Sequence, residues 1–506
     1  MREERGKPTP AAGRITKNTG VMFLTRVLEP LFSFVLILGI ARYLSSEGLG
    51  EYSLVLSLFS IFMVASSLGL GQVITREVAR DREIAAAYLS SALIIGLCSS
   101  VLMAGLMGTV ATVLGYEGNV LVALYIMSFV LVAATLSSYG HALFVAFERL
   151  EYRAFVLLVE YTMRIGLSLL VLGTGHGLLG LIGAMVVTRW VALILCIALI
   201  HLRITPIRWR VRSDLCRQLL GYAPTFALIH VLSVLYWRTD VIMLSKMRTV
   251  AEVGLYTSAY RLMEIWKALP LSLKASLFPL LSRLHGSNPE ISERAIKVLF
   301  LLLFPVAVGT AILSDRIIHL LYGPGFQGAG YALSVLIWTL VPYGGAMMWA
   351  NVVVASNHQR ADLAINVISF AANIGMNALL IPRFGYLGAS TATLLSMGLF
   401  ASCQYAFVSR RLFRLHLLRP IGRPAVAAAC MGLVVWALKD LPLYGVIPLS
   451  ASVYISLLIG LRVFTPEEWS YMSRWWRRLR RKKVQTKEED LLCLSPTYRK
   501  AAEGGL

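Results

Sequence analysis

Long apolar runs alternate with short polar segments along almost the whole chain. Each run holds about 20 residues, the length an α-helix needs to cross the hydrocarbon core of a bilayer. The pattern predicts an all-α polytopic membrane protein without a soluble domain. Fourteen transmembrane helices are predicted near residues 18–41, 51–74, 86–114, 118–144, 153–173, 178–201, 218–245, 252–280, 296–320, 328–354, 361–381, 387–408, 421–439 and 444–463.

Basic residues collect in every second loop between these helices. Roughly 34 lysines and arginines lie in the even-numbered loops and the two termini, whereas the odd-numbered loops hold about 6. Loops that stay in the cytoplasm carry this excess, and one missed helix would reverse the sign of every later loop. We therefore expect a multi-pass protein of the cell membrane with its N and C termini in the cytoplasm. Tryptophans and basic residues at 474–483 suit contact with membrane lipids.

Composition supports this interpretation. Apolar residues make up 57% of the chain and charged residues only 15%, whereas a soluble protein carries about 25% charged residues. The net charge of +21 would suggest nucleic acid in a soluble protein, but here the cytoplasmic loops explain it, so no nucleic-acid partner is expected. The six cysteines show no CxxC or metal-ligand spacing, so neither a metal site nor redox chemistry is predicted.

The chain contains an internal repeat. Residues 49–53 (LGEYS) are echoed by 253–257 (VGLYT), residues 177–180 (GLLG) by 385–388 (GYLG), and residues 164–166 (RIG) by 373–375 (NIG). The separation is nearly constant, at about 204–209 residues. The repeat unit is six helices, an even number, so both copies enter the membrane in the same direction. The sequence thus predicts two parallel six-helix repeats followed by two further helices, and a substrate site between the repeats near the midplane.

This organisation gives the predicted domains. They are a cytoplasmic segment (1–17), an N-terminal six-helix lobe (18–205), a basic cytoplasmic linker (206–217), a C-terminal six-helix lobe (218–412), helices 13 and 14 (421–463) and a basic cytoplasmic tail (464–506).

Ionisable residues inside transmembrane helices are costly, so they usually face a cavity or a partner. In the eighth helix several share an arc of about 80° on a helical wheel, and positive charges outnumber negative ones. We expect an anionic substrate to supply the missing negative charge. The predicted substrate-binding residues, from the first, seventh and eighth helices, are Arg26, Glu29, Arg238, Asp240, Arg261, Lys267 and Lys274.

Structural ion pairs are the alternative interpretation of these charges. Glu160 and Arg164 are four residues apart on one helix and could neutralise each other, and the same applies to Arg26 and Glu29. Arg189, in the sixth helix, instead adds a further cation to the surplus that an anionic substrate would neutralise.

No catalytic or nucleotide-binding motif occurs in the sequence. HExxH, GxSxG and Walker loops are absent, and the glycine-rich segment 323–328 lies between two membrane helices, where it predicts a turn. We therefore expect a transporter rather than an enzyme, without a cofactor. Its transport would be passive or coupled to an ion, either a proton or sodium.

Several segments resemble a known family. Residues 41–52 (ARYLSSEGLGEY), residues 68–77 (LGLGQVITRE) and the stretch from Arg238 to Tyr256 are similar to the corresponding parts of oligosaccharide flippases of the polysaccharide biosynthesis family. These proteins belong to the multidrug/oligosaccharidyl-lipid/polysaccharide exporter superfamily. The resemblance runs from about residue 15 to 463.

The resemblance implies a function. Such flippases are a V-shaped pair of six-helix lobes that move a polyprenyl-linked oligosaccharide, carried on undecaprenyl or dolichyl diphosphate, across the membrane. Arg26 is similar to the first-helix arginine of the related peptidoglycan-precursor flippases, in which cavity arginines bind the diphosphate. Helices 13 and 14 could shelter the lipid tail. We expect a monomer that works by alternating access.

Two other functions remain open at this stage. A multidrug or ion antiporter of the same superfamily would export organic cations and should have a net acidic cavity. A membrane glycosyltransferase or polymerase usually needs a carboxylate base and a large outer domain.

Overall fold

The computed structural model describes residues 10–206, 213–283, 289–414, 417–464 and 470. Side chains of residues 10–30, 222–229, 233, 279–280 and 418–419 are outside the described set. The described residues form sixteen α-helices and no β-strand, which confirms the predicted all-α fold.

The helices follow one another with short connections. In chain order they are α1 (Pro10–Ser67), α2 (Leu70–Arg80), α3 (Ala85–Val113), α4 (Gly118–Ala146), α5 (Leu150–Gly173), α6 (Gly177–Arg203), α7 (Ser213–Met247), α8 (Val250–Trp266), α9 (Ala268–Arg283), α10 (Pro289–Ile312), α11 (Ser314–Tyr322), α12 (Ala329–Leu336), α13 (Leu340–Ala355), α14 (Gln359–Phe407), α15 (Leu418–Ala437) and α16 (Leu443–Gly460).

Two of these helices are too long for a single membrane crossing. At a rise of about 1.5 Å per residue, the 58 residues of α1 would extend about 87 Å, and a bilayer core is about 30 Å thick. α1 is therefore broken at Ser45, which has a φ of 64°, and α14 is broken at Gly385, which has a φ of 56°. Each holds two of the predicted spans.

The described residues include ten helices that are long and apolar enough to cross a membrane. Because the two kinked helices each contain two predicted spans, these ten account for twelve of the fourteen predicted helices. The seventh predicted helix corresponds to α7, and the eighth to the pair α8 and α9. The chain is a multi-pass membrane protein.

The predicted eighth helix is interrupted rather than continuous. α8 ends at Trp266 and α9 begins at Ala268, so Lys267 lies at the break. Pro270 explains the position, because a proline ring clashes with the carbonyl group four residues earlier, which here belongs to Trp266. The Lys267 amide instead donates to the Glu264 carbonyl oxygen at 3.1 Å, a tighter turn. The break thus lies three residues before Pro270.

The two copies of the repeat cross at two equivalent glycines. A β-carbon added to Gly50 would overlap the Val250 carbonyl oxygen, and one added to Gly254 would overlap the Ser46 carbonyl oxygen. These contacts are reciprocal, since Gly50 and Ser46 correspond to Gly254 and Val250 at the same offset of 204 residues. Reciprocal contacts of this kind are the signature of a two-fold relation. The repeat found in the sequence is thus present in the packing of α1 against α8.

Apolar side chains lie both in the core between the helices and on the outer faces of the helices. Leu70, Ile74 and Tyr139 belong to a buried cluster in the N-terminal lobe, and Gly96 leaves room for the Tyr139 ring. Leu102 is nevertheless 66% exposed, as are many large apolar side chains on the outer faces of the helices. A surface of this kind suits lipid rather than water.

The described helices form two compact units. The first comprises the described parts of Met1–Asn288 and Leu313–Arg414, and the second those of Pro289–Ile312 and Leu415–Leu506. In the second unit α10 packs against α15 and α16, and the Tyr454 hydroxyl donates to the Leu301 carbonyl oxygen at 3.0 Å. The ninth predicted helix is thereby grouped with helices 13 and 14, while the six predicted domains remain predictions.

Candidate functional site

A cavity of about 590 Å³ lies within the first unit, between helices of the two repeats. The N-terminal repeat contributes side chains of α1, α5 and α6, and the C-terminal repeat contributes side chains of α8 and α9. Most of the wall is apolar. Its polar part consists of Ser33, Tyr52, Tyr161, Arg164, Arg189, Arg261 and Glu264.

Two arginines of the N-terminal repeat share one glutamate at this wall. Glu160 is 1% exposed, and it accepts hydrogen bonds from Arg164, one helical turn later on α5, and from Arg189 on α6 at 3.0 Å. The Arg164 guanidinium also lies 5.6 Å from the Tyr161 ring centroid. The pair of Glu160 and Arg164 anticipated from their spacing is present, and a second cation joins it.

The C-terminal repeat presents one further arginine. Arg261 Nη1 lies 3.0 Å from Glu264 Oε2, and both side chains line the cavity. Among the described side chains at the cavity, three arginines meet two glutamates, so positive groups outnumber negative ones there. A cation in a water-filled membrane cavity is stabilised by an anionic ligand.

Lys267 lies behind this wall, in a cage of aromatic rings. Its Nζ atom is 3.5 Å from the Trp237 ring centroid, 4.6 Å from that of Tyr260 and 5.9 Å from that of Tyr343. It also donates a hydrogen bond to the Tyr260 hydroxyl at 3.0 Å. Within the described part of the chain no carboxylate lies within ion-pair distance of Lys267, so cation–π attraction holds it.

A second polar centre is buried in the C-terminal repeat around Asp240. Asp240 Oδ1 accepts from Asn377 Nδ2 at 2.6 Å, and Oδ2 accepts from the hydroxyls of Tyr256 at 2.9 Å and Thr393 at 2.7 Å. Asn377 Nδ2 also donates to Asn373 Oδ1 at 3.1 Å. Among the described residues no basic side chain pairs with Asp240, and Asn377 Oδ1 is buried without a hydrogen-bond partner. Within the described part of the chain, Asp240 is thus held by three neutral donors, two hydroxyls and an amide, and not by a cation at ion-pair distance.

A model of the polysaccharide biosynthesis protein family matches residues 15–285, which is more than half of the chain. The chain belongs to the polysaccharide biosynthesis protein family. The family predicted from residues 41–52 and 68–77 is thus confirmed.

Curated relatives carry names that fit this family. The chain is 30% identical to "Probable flippase AglR" of Haloferax volcanii over 211 residues, 40% of this chain and 44% of that protein. It is 25% identical to "Probable low-salt glycan biosynthesis flippase Agl15" of the same organism over 254 residues, 49% of this chain and 53% of that protein. The chain spans about half the length of the curated relatives it matches.

Solved structures confirm the fold of this family member. A structure of lipid II flippase MurJ in an inward closed conformation matches with a TM-score of 0.75 and 14% sequence identity, over 88% of this chain and 99% of that one. At this level of identity the likeness concerns the fold.

The predicted site residues occupy different places in this family member. Of the five predicted residues whose side chains are described, Arg261 lines the cavity, Lys267 is in the aromatic cage, and Asp240 is in the buried centre. Arg238 is half-buried near Glu264, and the Lys274 carbonyl oxygen accepts from Asn351. Arg26 and Glu29 lie on α1 where the side chains are outside the described residues. Their role in binding remains a prediction.

Sequence reasoning did not include several residues that the structure brings together. Arg164 lines the cavity although it was considered only as the ion-pair partner of Glu160, and Arg189 lines it although it was counted toward the surplus of positive charge and not named as a site residue. Their signal was present, since both are charged residues inside apolar runs. Asn377 and Thr393 gave no comparable signal, because uncharged polar residues are common in membrane helices.

Proposed function

We propose that the protein flips a lipid-diphosphate-linked oligosaccharide across the cell membrane by alternating access. The observation that carries this proposal is the convergence of Arg164, Arg189 and Arg261 from both repeats on one cavity. The names of the curated relatives support a lipid-linked glycan as the substrate class. The transported molecule would be a precursor of a cell-surface polysaccharide.

Arginine suits a diphosphate for a physical reason. Its planar guanidinium presents several N–H donors in a fixed geometry that matches two phosphate oxygens, and it keeps its charge in the membrane. The excess positive charge of the cavity would be neutralised when the diphosphate binds. The apolar part of the wall would accommodate atoms of the lipid near the diphosphate.

Contacts between the repeats at both ends of α7 support alternating access. At one end the Tyr116 hydroxyl lies 2.9 Å from Ser245 Oγ, and at the other the Tyr88 hydroxyl donates to Gln218 Oε1 at 3.3 Å. Tyr88 is at the start of α3 and Tyr116 follows its end, so the two contacts are separated by the length of a helix. Rocking would break one contact while the other persists.

Asp240 is the proposed site of a coupling ion. A buried carboxylate, two hydroxyls and the unpartnered amide oxygen of Asn377 offer the oxygen ligands that transporters use for sodium or protons. A proton would bind to only one oxygen atom of the carboxylate. A sodium ion could bind the carboxylate and the amide oxygen of Asn377 together, so we favour sodium.

Orientation and assembly are also part of the proposal. The charge alternation of the loops supports cytoplasmic N and C termini. The cavity is built within one chain, which supports a monomer as the working unit, with membrane lipids around it. No covalent chemistry is required, so we propose a transporter and not an enzyme.

The experiment that tests this function is transport in proteoliposomes. Purified protein is reconstituted with a fluorescent lipid-linked oligosaccharide, and a membrane-impermeant lectin reports which leaflet holds the sugar. The test variant is Arg189→Gln together with Arg164→Gln and Glu160→Gln, which removes the buried glutamate together with the two arginines that share it. Arg383→Gln, an exposed arginine outside the cavity, is the matched control.

The proposal predicts sugar translocation by the wild type and the Arg383 control, and loss in the triple variant with normal insertion. Translocation at the wild-type rate by the triple variant would refute the diphosphate site. The antiporter alternative predicts instead that the wild type moves ethidium and leaves the glycan lipid in place. A glycosyltransferase or polymerase would lengthen the glycan, which mass spectrometry of the recovered lipid detects.

A further inference from the structure

We infer that Tyr256, Tyr260 and Lys267 form a relay that couples the buried centre at Asp240 to the wall of the cavity. The inference rests on the proposed coupling-ion site, and it assigns Tyr260 as the positioning residue of the relay. Three observations carry it: a chain of direct contacts, a caged lysine without a carboxylate partner, and a helix break that joins the cage to the cavity.

The first link connects Asp240 to Tyr256. The Tyr256 hydroxyl donates to Asp240 Oδ2 at 2.9 Å and lies 3.2 Å from Thr393 Oγ1, and the whole residue is buried. The equivalent tyrosine of the N-terminal repeat is Tyr52, whose hydroxyl donates, among the described residues, to the Met185 sulfur at 3.9 Å and to no carboxylate. This link therefore belongs to one repeat and does not follow from the shared architecture.

The second link connects two tyrosines of α8 to the lysine. Tyr256 and Tyr260 are one turn apart with ring centroids 5.7 Å from each other, and the Tyr260 hydroxyl accepts a hydrogen bond from Lys267 Nζ at 3.0 Å. Both tyrosines are at most 3% exposed. In a closely packed interior a shift of one ring displaces its neighbour.

The third link connects the lysine to the cavity. Lys267 occupies the break between α8 and α9, while Glu264 and Ala268 on either side of it line the cavity. Lys267 is 8% exposed and rests on the Trp237 ring of α7. A long, flexible side chain at a helix break can leave its cage without unfolding a helix, and its ammonium group can then face a phosphate.

Together the three links predict how sodium binding at Asp240 changes the position of Lys267. When sodium neutralises Asp240, the carboxylate becomes a weaker acceptor for the Tyr256 hydroxyl, which keeps Thr393 as its other partner. The tyrosine pair then repacks, the hydrogen bond from Lys267 to Tyr260 is lost, and the ammonium group becomes available at the cavity wall. Ion binding thus adds a positive charge where the diphosphate is to be held.

A purely structural role for the cage is the competing explanation. Three aromatic rings around a lysine stabilise the helix break whatever happens at Asp240. The two explanations differ in whether the surroundings of Trp237 respond to sodium. The emission of Trp237 reports this response in the purified protein, without any lipid substrate.

The experiment measures tryptophan emission and binding of radioactive sodium on the same samples. Sodium is added against an equal concentration of N-methylglucamine, which keeps the ionic strength constant. Trp237→Phe shows which part of the emission change comes from Trp237, one of ten tryptophans. The test variant is Tyr260→Phe, which keeps the ring and removes the hydroxyl. Tyr454→Phe, in the second unit, is the matched control.

The relay predicts that sodium changes the Trp237 emission in the wild type and in Tyr454→Phe. In Tyr260→Phe the change is lost although sodium still binds. The sodium-dependent change of Trp237 emission is also lost in Lys267→Met. It is partly retained in Lys267→Arg, because a guanidinium also stacks on aromatic rings. An unchanged response in Tyr260→Phe, or sodium binding without any Trp237 response in the wild type, overturns the relay while the ion site stands.

Failure of the ion site gives a different result. If the wild type binds no sodium, or if Asp240→Asn binds it as well as the wild type, the coupling-ion proposal fails and the relay fails with it. Transport of the glycan lipid is measured separately and does not enter this comparison.

Discussion

The reciprocal glycine contact predicts that Gly254→Ala will separate the two repeats where α1 crosses α8. The added β-carbon would overlap the Ser46 carbonyl oxygen and lie 2.7 Å from the Ser46 carbonyl carbon. Non-bonded carbons need about 3.5 Å, so the helices must move apart by about 1 Å. Overpacking of this kind costs about 1–3 kcal/mol, which exceeds the gain of at most about 1 kcal/mol from replacing glycine in a helix.

The assay combines thermal unfolding in detergent with a cross-link. Tyr116→Cys and Ser245→Cys are introduced into a background without other cysteines, because the native side chains meet with their oxygen atoms 2.9 Å apart. The two thiols are joined by a bifunctional thiol reagent whose spacer replaces the tyrosine ring, since a direct disulfide needs closer β-carbons. We expect Gly254→Ala to lower the melting temperature and the yield of the cross-link. Gly183→Ala in α6 is the control, since no atom lies within 4 Å of its new β-carbon.

Gly50→Ala tests the same contact from the other side. Its β-carbon would lie 3.0 Å from the Val250 carbonyl carbon and would overlap the oxygen. Because both substitutions open the same gap, we expect the double variant to cost less than the sum of the two single variants. If Gly254→Ala unfolds and cross-links like the wild type, the crossing does not hold the repeats together and the reasoning is refuted.

Three further substitutions test other parts of the account. Glu160→Gln removes the carboxylate that Arg164 and Arg189 share, so we expect a lower melting temperature that added pyrophosphate raises more than it does for the wild type; an equal response would contradict the shared pair. Asn377→Ala removes an unpartnered amide oxygen beside Asp240 and should weaken sodium binding, measured with the radioactive ion, whereas unchanged affinity would exclude Asn377 as a ligand. Thr249→Ala removes the side-chain oxygen that accepts from the Glu252 amide at the start of α8 and should cost about 1 kcal/mol of unfolding free energy; denaturant titration measures it, and an unchanged value would contradict the cap.

Much of the fold could be predicted because membrane insertion imposes a local rule. In a membrane, an apolar run of sufficient length forms a helix wherever it occurs in the chain. The predicted segment 86–114, for example, corresponds to α3 (Ala85–Val113). The internal breaks were harder to locate. Ser45 adopts a positive φ that no sequence signal marks, and Lys267 ends α8 because of a proline three residues later.

The site could be predicted only in part for the same reason. A helical wheel placed Lys267 on a polar arc with Arg261 at its edge, but in the structure Arg261 lines the cavity while the Lys267 ammonium group lies against the Trp237 ring of α7. Spacing along one helix revealed the pair of Glu160 and Arg164, whereas Arg189 joins it from 29 residues away. Such contacts depend on how helices pack, which residue spacing does not report.

The buried centre shows this limit most clearly. Asp240 was expected to bind substrate because a charge in a membrane helix needs a partner. Its partners Asn377 and Thr393 lie 137 and 153 residues away in the sequence. Only their assembly reveals a set of oxygen ligands, and this assembly changes the proposed role of Asp240 from substrate contact to ion site.

The central claim is that cationic side chains of both repeats hold a diphosphate in one cavity. Its most direct test is the binding of a purified lipid-diphosphate-linked oligosaccharide to the detergent-solubilised protein, compared with the same lipid carrying no phosphate. Saturable binding of the diphosphate lipid, lost in Arg261→Gln and retained in Arg383→Gln, is the predicted result. Equal binding of both lipids, or full binding by Arg261→Gln, would contradict the claim.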